Sequence, residues 1–236
     1  MTVATAPDPI EAIMASPIPF NLYHEVHKGL RYALFQLVTR VGSADCTDAQ
    51  ARSAVADQVR FVVHLLTEHH DHEDTFLEPT IGAKAPKLAP MLRDGHTEVE
   101  RDLVEIELRT DRLASSTGIE AVTAGVDLYA YLSLFVARYL AHMSLEEGTV
   151  MATLRNTCSI EELVQIQVAL RSSITPDIMC EFLQVLMPAL NSEERATMLG
   201  GMHAFLPPEV FELFRATTEA AIDPTDYATL AAHVGL

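Results

Sequence analysis

Apolar residues recur at alternating spacings of three and four over four long stretches, the period of a helix that buries one face. The first stretch, about Asn21 to Val41, carries Tyr23, His27, Leu30, Leu34, Leu37 and Val41 on one stripe. The second, about Asp48 to Leu77, carries Val55, Val59, Val62, Leu66, His69, Glu73 and Phe76. The third, about Leu88 to Leu113, carries Leu92, His96, Val99, Leu103, Ile106 and Leu113. The fourth, about Ile119 to Leu154, carries Leu128, Leu132, Phe135, Tyr139, His142 and Glu146.

The breaks between the stretches have chemical causes. Gly42 and Ser43 close the first, and Thr47 with Gln50 fits a capping box that opens the second. Pro79, Gly82 and Pro86 punctuate the second turn, and the run from Ser115 to Gly118 makes the third. No stretch alternates with period two, so no strand is expected. Short turns imply antiparallel neighbours, which predicts an all-α, up-down-up-down four-helix bundle.

From about Ser159 the pattern shortens. Ser159 with Glu162, Thr175 before Pro176, and Asn191 with Glu194 read as helix starts, as do Pro207-Pro208 and Pro224. The expected organisation is a flexible arm over 1–20, which holds four prolines, a bundle over 21–156 and a helical extension over 157–236.

Composition narrows the partners. Sixteen basic against thirty-three acidic residues give a net charge of −17, which argues against nucleic acid or an anionic membrane as partner. No continuous apolar run approaches the ~18 residues of a membrane span. The proline-broken start lacks the positive region of a signal peptide. Three cysteines, Cys46, Cys158 and Cys180, with no CxxC among them, fit a reducing interior and a cytoplasmic location.

The chemistry lies where the stripes are interrupted. The histidines and glutamates on these seams are His27, His69, Glu73, His96, His142 and Glu146. Burying an unpaired polar group costs roughly 2–7 kcal/mol, and a metal ion removes that cost by coordination. His69/Glu73 and His142/Glu146 stand at i, i+4, on one face a turn apart. His27 and His96 come early in the odd stretches, and His69 and His142 late in the even ones. In an antiparallel bundle all six therefore fall at one end and one depth.

The run from His69 to Pro79 (HHDHEDTFLEP), with His27 on the first stretch, His96 on the third and His142 to Glu147 (HMSLEE) on the fourth, resembles the hemerythrin-like, HHE cation-binding domain over about residues 20–155. The resemblance implies a non-haem centre of two iron ions with an oxo or hydroxo bridge. It implies His27, His69, His96 and His142 as terminal ligands, and Glu73 and Glu146 as bridges. The mixed nitrogen and oxygen donors also suit manganese. Members of the family include oxygen carriers and sensors, iron-handling proteins, nitric-oxide stress proteins and enzymes that use oxygen or peroxide. The expected small ligands are O2, peroxide or NO, beside an unidentified small-molecule substrate.

The oxygen carriers place two histidines at i, i+4 on the third helix. Here the position four after His96 is Glu100, which leaves the seam as Glu98 does. Four histidines and two bridges leave about one open position per iron, which suits an oxidoreductase better than a carrier or sensor. His24, a turn before His27, or His70 or His72 by a slight rotation of the second helix, would fill the gap. Tyr23 and Tyr139 sit a turn from His27 and His142 and could hydrogen-bond a bound oxygen species. Glu147 reads as an outer acid, His64 as structural and the methionines as core filler. The extension offers a surface for homodimerisation, for covering the pocket or for binding a partner.

Overall fold

The computed structural model describes residues 19–236, and among these it is all-helical, with no strand. Most of the expected arm, over 1–20, lies outside the described residues. The long helices are α1 (His24–Ser43), α2 (Ala49–Phe76), α4 (Ala89–Ser115) and α5 (Gly118–Leu145). A short α3 (Glu78–Lys84) separates α2 from α4. Helix α5 runs on through a π-helical turn, Glu146–Val150, into α6 (Met151–Thr157). Five shorter helices follow: α7 (Ile160–Ser173), α8 (Pro176–Ala189), α9 (Ser192–Phe205), α10 (Pro208–Ala221) and α11 (Pro224–Val234).

Local chemistry accounts for the boundaries, with two corrections to the sequence reading. The cap of α2 is Asp48, whose carboxylate accepts from the Gln50 and Ala51 backbone N–H groups. Thr47 is turned away and donates to Asp45 instead. Pro79 does not break the chain but sits in the first turn of α3, where a missing N–H costs nothing. The turn before α4 spans only Ala85–Leu88. Ser159 and Asn191 both form complete capping boxes, and Thr175 caps α8 ahead of Pro176. Gly118 opens α5 at φ +58, a left-handed conformation that favours glycine.

Helix α1 packs on α2 and α5, and α4 packs on α2 and α5, a closed ring compatible with the expected bundle. Two apolar clusters fill it at different depths. Leu30, Leu66, Val99 and Tyr139 belong to the larger one. Tyr23, Leu77, Leu92 and Val150 belong to a second, capped by α3, α6 and α7. On each long helix the ionisable residues lie between a member of one cluster and a member of the other. They thus form a polar layer sealed above and below by side chains worth roughly 1.5–3 kcal/mol each when buried.

Helix α8 lies against α1, and Phe182, Val185 and Leu186 join the larger cluster. Its opposite face, with Leu183 and Met187, builds a third cluster with α9, α10 and α11. Gly29 permits the approach to α1, because a Cβ there would stand 2.8 Å from Leu186 Cδ2 and 3.3 Å from its backbone.

The segment Gly118–Thr157 is long and apolar enough, by length and composition, to cross a membrane, with a mean hydropathy of 1.4 over 18 residues. Mean hydropathy finds what a search for an unbroken apolar run does not. Its inner face packs against α1 and α4 and carries the buried Glu146, as a core helix does. All three cysteines are free and partly buried.

Candidate metal centre

The polar layer brings His27, His69, His70, Glu73, His96, His142 and Glu146 together. The first five and Glu146 are buried, and the His142 side chain is 9 % exposed. Glu73 Oε1 lies 3.2 Å from His69 Nε2 and 3.9 Å from His27 Nε2, while its Oε2 lies 3.5 Å from His96 Nε2. Glu146 Oε1 lies 3.1 Å from His142 Nε2 and 3.5 Å from His96 Nε2, while its Oε2 lies 3.5 Å from His27 Nε2. Each carboxylate thus turns one oxygen toward the His27/His69 side and the other toward the His96 side.

Two groups of donors are close enough to hold a cation. One is His27, His69 and Glu73, and the other is His70, Glu73, His96 and His142, with Glu73 common to both. Within the layer His70 Nδ1, both Glu73 oxygens, His142 Nε2 and Glu146 Oε2 are buried without a hydrogen-bond partner. Native proteins satisfy nearly all buried polar atoms, each orphan costing about 1–3 kcal/mol. Five orphans facing one another fit a pair of cations, and no thiolate stands among the donors.

The imidazoles are oriented from behind. His27 Nδ1–H donates to Glu147 Oε1 at 3.0 Å, and Arg31 holds the same carboxylate with two hydrogen bonds of 2.6 and 3.0 Å. His96 Nδ1–H donates to Asp74 Oδ1 at 2.6 Å. Both arrangements leave Nε2 free to face the layer, the carboxylate–histidine pattern that supports metal ligands. His70 uses its other nitrogen, Nε2, toward the Tyr139 hydroxyl at 3.2 Å, and its ring stacks on His96 with centroids 4.7 Å apart. Gly95 lets the His142 ring lie against α4, since a Cβ there would stand 3.1 Å from His142 Nδ1.

Burial opposes charge on His27, yet the hydrogen bond to Glu147 and the nearby charges of Glu73 and Glu146 prevail and raise its pKa to about 9. His96 is likewise penalised by burial and raised to about 9 by Glu146, Glu73 and Asp74. Burial and the neighbouring imidazoles hold His69 and His70 well below the usual histidine range, as neutral donors. Burial and the charge of Glu146 push the Glu73 carboxyl up, so the two carboxylates share the cost of standing together. Tyr23 and Tyr139 are raised well above their ordinary value, by burial first and the two glutamates next.

The remaining residues singled out in the sequence fall as follows. His24 points out of the layer and faces Glu194 on α9 at 2.9 Å, beside a Lys28–Glu194 ion pair. His72 Nδ1 faces the Glu68 carbonyl on its own helix. Tyr23 lies against His27, with ring centroids 5.1 Å apart. His64 pairs with Glu181 of α8. Glu98 and Glu100 are exposed. Asp74 and Arg31 were not singled out from the sequence, because neither lies on a seam. Asp74 was marked only by its place beside Glu73.

A small cavity reaches the layer between Tyr23, Glu73, Leu77, Leu92, His96 and Glu146, with Asp74, Glu78 and Arg93 at its rim. Its volume of about 10 Å³ is the space one water-sized molecule needs.

Comparison with known proteins adds one finding. The family model described as hemerythrin HHE cation binding domain matches residues 19–154, more than half of the 236-residue chain. No curated protein and no solved structure matches.

Proposed function

The chain belongs to the hemerythrin HHE cation-binding family, and from that premise we propose that it is a non-haem di-iron oxidoreductase acting on O2, peroxide or NO. In this reading residues 21–156 form an antiparallel up-down-up-down bundle around the centre, and residues 157–236 form a helical extension braced on α1. Manganese suits the same donors. Free cysteines suit a cytoplasmic setting.

The observation that carries the proposal is the cluster of orphaned donors beside a cavity sized for one small molecule. His27 and His69 with one oxygen from each glutamate make four donors, and His70, His96 and His142 with the other oxygens make five. With one imidazole fewer, the His27/His69 side would be the less saturated of the two, and a small molecule would reach it from the cavity past Tyr23, Glu73 and Glu146. When bound, the iron pair would supply electrons to an oxidant of this size and be re-reduced by a separate electron donor.

The chain's own residues do the rest. Leu77 and Leu92 exclude bulk water and any larger substrate, so a reductant must deliver electrons without entering. Protons have a route: His96 hydrogen-bonds Asp74, whose side chain is 41 % exposed. A supply of protons favours turnover over storage, since reduction of peroxide to water consumes two protons and two electrons. The second reading, a carrier or sensor, is favoured by the split of three histidines against two, which makes one side more open than the other rather than the two alike, as expected from the sequence.

Iron analysis of anaerobically purified protein is expected to give about two ions per chain, and added peroxide is expected to be consumed with a supplied electron donor. Zinc in stoichiometric amounts with no affinity for iron overturns the reading. Reversible oxygen binding without turnover of any donor selects the carrier.

Loading is expected to depend steeply on pH. In the metal-free protein His27 and His96 each hold a proton up to about pH 9, against about 6.5 when unfolded. A cation must displace both, so affinity is expected to rise roughly 100-fold per pH unit below about 9, a slope of two protons, and more steeply below about 7, where Glu73 also holds a proton. Stability of the metal-free protein moves the other way. The contribution of these raised groups is complete below about pH 6.5 and is lost as pH climbs through 9. Chelator competition across this range reads the slope, and a flat profile rejects the protonation assigned to His27 and His96.

A further inference from the structure

Helix α5 is apolar on both sides. Its inner face fills the bundle, and its outer face exposes Ile119 (78 %), Val122 (37 %), Val126 (65 %), Tyr129 (44 %) and Leu134 (61 %). At 100° per residue, Ile119, Val126, Ala130, Ser133 and Ala137 fall on one continuous stripe along its axis. A helix apolar all round is normally covered all round.

The charges on this helix form a pattern. Only Glu120, Asp127 and Arg138 are charged between Gly118 and Leu145. Asp127 is held by Arg109 of α4 at 3.4 Å, and Arg138 by the buried Asp102 of α4. Glu120 makes no ion pair among the described residues. In a chain of net charge −17 this stripe is a place where a like-charged molecule can approach without repulsion. Glu120 and Arg138 stand 18 residues, five full turns, apart, so they flank the stripe on the same side, with Tyr129 level with their midpoint on the opposite flank.

We propose that a second copy of this chain covers the face, α5 against α5, antiparallel about a two-fold axis at Tyr129–Ala130. That pairing sets Glu120 of each copy beside Arg138 of the other. It also matches Val122 with Ala137 and Val126 with Ser133, large against small. The small side chains admit the 8–10 Å separation typical of packed helices. A parallel pairing sets Glu120 beside its own copy and loses both ion pairs. An isologous contact closes on itself and stops at two chains.

Light scattering on the purified full chain tests this, with an expected mass of twice 25.9 kDa. Val126→Glu sets two carboxylates near the axis and is expected to give monomers with unchanged helix content and metal loading. Glu120→Arg faces Arg138 and is expected to weaken dimerisation by about tenfold or more, a modest share of the cost of like charges. Ala130→Cys is expected to form a covalent dimer on mild oxidation. Ala141→Cys is not, because its copies stand about 35 Å apart at 1.5 Å per residue. The proposal is overturned by a wild-type chain that stays monomeric at high concentration. A dimer that survives Val126→Glu, and so forms elsewhere, also overturns it, as does a monomer that adsorbs to phosphatidylcholine vesicles through this face.

Discussion

Glu73→Ala is expected to leave a folded chain that has lost at least one of the two proposed cations, and Glu146→Ala to do the same. Glu73 is the one residue common to both donor groups, with one oxygen 3.2 Å from His69 Nε2 and the other 3.5 Å from His96 Nε2. Glu146 spans the same gap from the opposite helix, between His27 on one side and His96 and His142 on the other. Removing either takes an oxygen from both ions at once, whereas removing one histidine weakens one. The fold survives because apolar clusters close the layer on both sides and do not depend on the carboxylates. Glu98→Ala and Glu100→Ala serve as controls, since both side chains are exposed on α4. Elemental analysis is expected to show about two ions per chain in the controls and at most about one in the glutamate variants. Equal content in all four rejects the assignment of Glu73 and Glu146.

The level of the layer was legible because it follows from arithmetic on the seams. Helix period sets which residues face inward, and antiparallel order sets their depth. His70 was less legible because a single seam is too narrow a description of α2. That helix buries residues in adjacent pairs, Val62 with Val63, Leu65 with Leu66, His69 with His70, and so presents a broad face to α1, α4 and α5. The apolar doublets were the signal, since a stripe one residue wide would not need them.

Glu147 was legible as an outer acid, but its pairing with His27 was hidden for a different reason. The π-helical turn from Glu146 to Val150 carries an extra residue, so consecutive glutamates reach the layer and the back of His27 together. A constant 3.6-residue period gives no warning of that. The place of α8 was hinted at by its composition. Phe182, Leu183, Val185, Leu186 and Met187 cover more than half of its circumference, leaving Asp177, Glu181 and Gln184 on one narrow polar face, and an apolar face that wide can serve two cores.

The largest functional effect is expected from His70→Ala. From the seams alone both ions keep an exchangeable position. With His70 in the layer, the group containing His96 and His142 would have five protein donors, and the His27/His69 group would be the more open of the two. His70 Nδ1 is buried, partnerless and turned to the donors, while Nε2 is occupied by Tyr139. His70→Ala is therefore expected to keep both ions, through the two glutamates and the other four histidines, and to open the second one. Azide is expected to titrate wild type in one mode and the variant in two, and peroxide consumption is expected to rise. His24→Ala and His72→Ala are expected to change neither, as both side chains face away from the layer. Truncating His70 also strands the Tyr139 hydroxyl, at a cost of about 1–3 kcal/mol. Adding Tyr139→Phe is expected to recover part of that stability while leaving the second azide mode in place. This separates loss of a ligand from loss of packing. A His70→Ala protein with a single azide mode and unaltered spectrum shows that His70 only supports Tyr139 and His96, and returns both ions to an equal count of two histidines each.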